Sequence, residues 1–304
     1  MRTDLDHLPA ARQCELDRVV KILFEEFGEA HADAKGRRKL GRIVKIVLYG
    51  SYARGDWVYE PHTSKPYISD FDILVIVNQQ ELTDRDRYWS AAESRLNTEY
   101  ALRGGLRTPV NFIIHTLREV NGGLANGRYF FIDLVRDGIA LYEFDDKPLR
   151  KPVPKTPAAA LAMAKEYYEE WFPSAMRRYD FVRFGLQKGH LKETAFELHQ
   201  TTEFLYHCVS LVRTFYTSYN HNIKFLRGQA EGIDARLRHI WPNGTRKERA
   251  MFAKLKEAYV KARYSKHYRI SMEELNWLSE RVEELGRVVH TICCERIAEL
   301  ERAL

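Results

Sequence analysis

Between residues 12 and 28 apolar side chains recur at helical spacing (Leu16, Val19, Val20, Ile22, Leu23, Phe27), and Gly28 offers an end. The period then changes. A polar, basic stretch, HADAKGRRKLGR, leads into the continuous apolar run 43–49, which reads as a buried strand. A short helix is expected after Ser51, then a loop, YEPHTSKPYIS, whose two prolines argue against regular structure. The run SDFDILVIV forms a second strand ending at Asn78, and a helix from about 83 to 102 stops at Gly104-Gly105. PVNFIIHTL (109–117) and GIALYE (138–143) are the third and fourth strand candidates, with strand order left open. The stretch DDKPLRKPVPKTPAA (145–159) holds four prolines and reads as a linker. Beyond Thr156 the pattern is helical throughout, with helices near 157–188, 190–217, 221–232, 245–263 and 271–303. The expected class is α+β: a mixed sheet flanked by helices in 1–148, a linker at 149–156, and an all-α bundle in 157–304.

Composition adds bounds. The 304 residues suit one or two domains, and 45% hydrophobic with 30% charged residues is ordinary globular usage. No apolar run approaches the roughly 18 residues of a membrane span, so no membrane partner is expected. The N-terminal MRTDLDHLPAARQCELDRVV carries acids where a signal peptide needs an apolar core, so a cytoplasmic location is expected. Cys14, Cys208, Cys293 and Cys294 fit no CxxC spacing, which predicts reduced, mostly buried thiols and neither disulfide nor zinc site. Net charge is +6 but uneven: residues 1–150 hold 22 Lys+Arg against 23 Asp+Glu, and the remainder holds 26 against 19. That basic second half suits either an anionic ligand, RNA included, or simply a soluble surface.

Candidate chemistry concentrates in IVLYGSYARGDW and SDFDILVIV. Asp70 and Asp72 alternate with Phe71, so on a strand both carboxylates face one side. Two acids on one rigid element suit Mg²⁺, which takes hard oxygen ligands together with substrate phosphates. Gly50 lets the backbone approach a phosphate closely, and Ser51 offers a hydroxyl and an N–H to an anion. The set reads as a triphosphate–Mg²⁺ site; the competing reading is a surface turn beside a solvated acidic edge. At these residues the chain resembles the polymerase-β-type nucleotidyltransferase superfamily, whose order is strand, Gly-Ser, short helix, then a strand carrying Asp-x-Asp. The resemblance implies transfer of an NMP from an NTP, with ATP the expected nucleotide, to an acceptor hydroxyl on a small molecule, a protein or RNA.

In that superfamily a neighbouring strand usually supplies a third carboxylate. The matching place, PVNFIIHT, holds Asn111, which can hydrogen-bond a hydroxyl but cannot take its proton. Three readings stay open: a one-metal transferase with Asn111 positioning the acceptor, a nucleotide binder without turnover, or a different strand supplying the acid. His115, on the same strand face, is either a base or a bystander. Arg54 can reach a triphosphate or stay solvated, Asp56 is expected to be exposed, and Lys65 sits in the proline-flanked loop.

The helical half resembles the HEPN family through AFELHQTTEFLYHCVSLVRTFY, SYNHNIKFL and LKEAYVKARYSKHYRI. Many HEPN domains are metal-independent ribonucleases that use an Arg and a His separated by four to six residues. Here Arg263 and His267 are separated by three. The resemblance therefore leaves open a ribonuclease with a regulatory front domain, a nucleotide-binding or toxin–antitoxin-type regulator with a degenerate site, or a homodimer-forming bundle. His199, His207 and His221 read as bundle histidines or ligands. The aromatics of RYDFVRF and TFYTSY, interleaved with Arg177, Arg178 and Arg183, read as core or as base-stacking residues.

Overall fold

The apolar run before Gly50 is strand β1 (Ile43–Tyr49), and the Asp-x-Asp run is β4 (Phe71–Val77). The computed structural model describes residues 1–60, 67–145, 147–218 and 221–304. In it β1 and β4 pair antiparallel. Strand β5 (Val110–Thr116) adds parallel to β4, and β6 (Ile139–Glu143) antiparallel to β1. The resulting sheet is mixed, in the order β5–β4–β1–β6. Both central strands are buried over nearly their whole length, which explains their unbroken apolar runs.

One sheet face packs against α1 (Ala10–His31), whose Leu16, Val19, Ile22, Leu23 and Phe27 join Ile46, Leu48, Phe71, Ile73 and Val75 in one core. Residues of the opposite parity, among them Leu74, Ile76 and Ile113, are buried on the other face. That face is served by α5 (Leu117–Ala125) and α6 (Tyr129–Asp137), two helices the apolar periodicity did not announce. The capping box Thr116/Glu119 starts α5.

Elsewhere the expected elements differ in detail. In place of one helix over 83–102 there are α3 (Arg85–Tyr88), α4 (Ser90–Thr98) and a single π-helical turn, Glu99–Arg103. The break falls at Trp89, fully buried, whose indole N–H donates to the Leu82 carbonyl at 2.7 Å. Satisfying that buried donor outweighs helix continuity. Tyr59–Glu60 (β2) and Tyr67–Ile68 (β3) form a small ladder at the base of the proline-flanked loop. The loop's residues 61–66, with Lys65, lie outside the described residues, as do Tyr219 and Asn220 of SYNHNIKFL.

The described residues divide into two units, 1–60 with 67–154, and 155–304. The second contains α7 (Pro157–Lys188), α8 (Leu191–Thr214), α9 (Ile223–Ile233), α10 (Arg246–Tyr264) and α11 (Met272–Arg302). Helix α8 is the axis around which the other four pack, so it is buried on most of its circumference. Side-chain caps from Thr156, Asn222, Thr245 and Ser271 start the remaining four. Cys208 and Cys293 are buried with their sulfurs 3.9 Å apart, whereas Cys14 and Cys294 are exposed, against the expectation of mostly buried thiols. Among the described residues, no helix is long and apolar enough to cross a membrane.

Candidate functional site

The chain turns from β1 into α2 (Gly50–Arg54) with Gly50 at φ +74°, a conformation other residues rarely adopt. A Cβ at Gly50 would overlap Oδ2 of Asp72 and stand 3.2 Å from its Cγ. The Asp72 carboxylate therefore lies directly against the bare backbone at the start of α2. Strand register explains the approach: Tyr49 pairs with Asp72 across β1 and β4. Ser51, buried, follows Gly50, and its carbonyl accepts the Gly55 and Asp56 N–H groups at 2.9 and 3.1 Å.

Asp72 is buried, and among the described residues no hydrogen bond or ion pair reaches its carboxylate. Burial first, then the charge of Asp70, hold its carboxyl well above the usual carboxylate range, against the pull of Arg54. Arg54 stays exposed and pairs with Asp56 at 3.3 Å. Across the parallel ladder Asn111 stands opposite Asp72, and its Nδ2 donates to Asp70 Oδ2 at 2.6 Å. Because that carboxylate only accepts, the Asn111 carbonyl Oδ1 is left facing elsewhere. Asp70, Asp72 and Asn111 are thus brought together, with Gly50 and Ser51 beside Asp72.

The oxygen-only donor set fits Mg²⁺. Two carboxylates alone do not complete a coordination shell, and among the described residues no three His, Cys, Asp or Glu side chains are placed to hold an ion. Phosphate oxygens and water would supply the rest.

His115 is not part of this group. It lies four residues along β5 from Asn111, about 13 Å at strand rise. Its Nδ1 meets Glu119 at 3.3 Å and its ring stands edge-on to Phe131. That contact, foremost, draws the Glu119 carboxyl down to about 2.

Sequence reasoning missed the groups that hold α2 from behind. Arg2 Nη2 donates to the Ala53 carbonyl at 2.7 Å, and His7 Nε2–H to that of Tyr52 at 2.8 Å. Arg2 is itself tied to the sheet, its carbonyl accepting the Ala140 N–H at 2.9 Å. No motif marks these residues, because the contact spans about fifty positions and uses backbone acceptors. Also unforeseen was Glu15, buried, which accepts the Arg107 and Thr108 N–H groups at 2.9 Å and fixes the approach to β5.

In the helical unit Arg263 and His267 are not joined. Arg263 folds over Phe196, Tyr259 and Tyr264, while the His267 N–H bonds Ser265. The bundle histidines instead gather around Glu203. His221 Nδ1 stands 3.0 Å from its carboxylate, and His199 and His207 stand at 3.8 Å. His199 is fully buried, and burial lowers its imidazole to about 4. Tyr179, Val182 and Phe215 among the RYDFVRF and TFYTSY residues are core, whereas Phe181 and Phe184 are exposed.

No curated protein matches the chain. A family model does, over the segment that carries β1, α2, β4 and most of β5: residues 34–115 are similar to the family described as Nucleotidyltransferase domain.

Proposed function

We propose that the first unit transfers an NMP from an NTP to an acceptor hydroxyl in a Mg²⁺-dependent reaction. The observation that carries this reading is the packing of the Asp72 carboxylate against the Gly50 backbone, with Asp70 and Asn111 alongside. Similarity to a nucleotidyltransferase domain supports nucleotidyl transfer in general.

In this reading Asp70 and Asp72 hold the cation, and the Gly50–Ser51 backbone receives the β- and γ-phosphates, with Arg54 within reach of their charge. When bound, Mg²⁺ neutralises the crowded carboxylates and polarises the phosphate oxygens. Asn111 fixes Asp70 through its amide N–H and offers Oδ1 to the acceptor hydroxyl. An in-line displacement puts that hydroxyl opposite the departing pyrophosphate, on the Asp70 side, where the Asp70 carboxylate is the nearest group able to accept its proton. The helical unit, as a HEPN-like bundle, would supply an acceptor surface or a self-association surface. Its ribonuclease reading gains nothing from the separate surroundings of Arg263 and His267.

The test is thermal stability with ATP, GTP, CTP and UTP, with and without Mg²⁺, on the wild type and on Asp70→Asn/Asp72→Asn. The expected result is a metal-dependent rise in midpoint that the double variant lacks. A rise that ignores metal and survives both substitutions would move the nucleotide away from this site.

A further inference from the structure

Helix α11 carries His290 and Cys294 four residues apart, so both lie on one of its faces, where α7 packs beside it. The Cys294 sulfur stands 3.6 Å from His290 Nδ1 and 3.9 Å from Nε2. From α7 the Tyr168 hydroxyl reaches the same Nδ1 at 2.6 Å. It is also within hydrogen-bond reach of the Cys294 sulfur. Phe172, one turn further along α7, holds the group in place: its ring stacks on Tyr168 at 5.2 Å and stands 5.3 Å from that of His290. A thiol, an imidazole and a phenol therefore converge, and the thiol and the imidazole both face solvent.

The other three cysteines are placed differently. Cys208 and Cys293 are fully buried and touch each other; that contact first, then burial, push the Cys293 thiol up. A buried thiol held in its neutral form is a poor nucleophile. Cys14 is exposed, but among the described residues no hydrogen bond reaches its sulfur. Of the four, Cys294 is the one that combines solvent access with a base in contact. Tyr168 has a defined part as well. Burial first, then the neighbouring Cys294, push its phenol up, so it stays protonated and able to donate.

We propose that Cys294 is a site of reversible oxidation, with His290 taking the thiol proton and Tyr168 steadying the thiolate. The oxidant is a hydroperoxide, and the capping group is a low-molecular-weight thiol. Neither step uses the Asp70–Asp72 site. The Cys294 proton passes to His290 Nδ1, whose N–H then donates to the Tyr168 oxygen while the Tyr168 O–H turns to the sulfur. The thiolate attacks one peroxide oxygen: an S–O bond forms, the O–O bond breaks, and the sulfur gives up two electrons. The departing hydroxide takes the proton from the imidazolium and leaves as water. A low-molecular-weight thiol then attacks the sulfenic sulfur. An S–S bond forms, the S–O bond breaks, and a second water carries away the hydroxyl and the thiol's proton. A thiolate beside an imidazolium is the arrangement that makes one cysteine react ahead of others.

The experiment treats the full chain with limiting hydrogen peroxide, traps sulfenic acid with dimedone, and maps all four cysteines by peptide mass. In the wild type the adduct should collect at Cys294, with Cys14 as the reference in the same molecule. His290→Gln should slow Cys294 relative to Cys14 by roughly 5- to 50-fold, and Tyr168→Phe, which keeps the ring, by roughly 3- to 10-fold. Cys208 and Cys293 should stay unlabelled, which also shows that the bundle is intact. With glutathione in place of dimedone, a mixed disulfide should appear at Cys294 and reverse with dithiothreitol. Equal labelling of Cys14 and Cys294 would overturn the site, as would a Cys294 rate that ignores both substitutions. A Cys208–Cys293 disulfide formed ahead of any adduct at Cys294 would also overturn it and place the reacting thiols inside the bundle. Should His290→Gln expose Cys208 or Cys293, Tyr168→Phe decides alone.

Discussion

Gly50→Ala tests the geometry on which the site is built, and its cost can be worked out from two contributions. The first is backbone: at φ +74° an alanine occupies the left-handed region, which costs about 1–2 kcal/mol. The second is overlap, since the new Cβ lands on Oδ2 of Asp72, a buried side chain with little room to swing. Forcing a buried group aside adds about 1–3 kcal/mol. Gly104 supplies the control. It has φ +63° with nothing within 4 Å of the Cβ position, so Gly104→Ala bears the backbone cost alone. Calorimetry of the full chain without nucleotide should show the first unit's midpoint falling by roughly 2–8 °C for Gly104→Ala, and by about twice as much for Gly50→Ala. In an Asp72→Ala background the overlap with Oδ2 is gone and only that residue's Cβ, 3.3 Å from the new methyl, remains, so Gly50→Ala should cost little more than Gly104→Ala, a coupling of about 1–3 kcal/mol. Gly50→Ala should also abolish the magnesium-dependent stabilisation by ATP. If Gly50→Ala is as mild as Gly104→Ala in both backgrounds, the close approach of Gly50 to Asp72 is wrong.

Two further outcomes follow from the same contacts. His199 stays neutral in the folded chain down to about 4 while the unfolded chain takes up its proton near 6.5, so stability falls as pH drops through that window. His199→Gln should remove roughly 3 kcal/mol of that acid loss, read as a smaller drop in the helical unit's unfolding midpoint between pH 7 and 4.5; an unchanged drop would place the buried imidazole elsewhere. Removing the brace behind α2 with Arg2→Ala/His7→Ala deletes two hydrogen bonds to its carbonyls, about 1–1.5 kcal/mol each. MgATP affinity should fall with stability, and Arg2→Ala/His7→Gln, which restores one N–H donor, should recover part of both; a loss confined to stability would remove Arg2 and His7 from any positioning role.

How much could be read from the chain follows from the range of each interaction. β1 and β4 were legible because burial on both faces writes a continuous apolar run into the sequence, β5 because Phe112, Ile113 and Ile114 stand together at its centre, and α7 because Thr156 and Pro157 mark its start and Gly189 its end. The shared side of Asp70 and Asp72 was expected from strand alternation, and Gly50 from the close backbone approach that a phosphate needs. Helices α5 and α6 were not legible, since nine residues give too few turns for a periodic signal to stand out, although Thr116 and Glu119 spell a capping box. The split at Trp89 depends on one buried indole finding the Leu82 carbonyl, a tertiary demand that local propensity does not contain. Arg2, His7 and Glu15 reach the elements around the site from far along the chain, and their partners are backbone atoms that no spacing rule connects.

Asn111 acquires a physical reason once the sheet is in view. Asp72 is buried with Asp70 as its neighbour, so the pair already raises the cost of ionisation at one of its members. A third carboxylate at 111, opposite Asp72 in register and within hydrogen-bond reach of Asp70, would add a third negative charge to the same enclosure. The amide does the reverse: it adds no charge and donates to Asp70. Two carboxylates are balanced by one divalent ion, whereas three call for a second cation. Asn111 in place of a third acid is therefore coherent with the rest of the enclosure, and a one-metal centre is what the proposed transfer would use. In that proposal the acceptor's proton has no third acid to receive it and falls to Asp70, whose Oδ2 is held by the Asn111 amide.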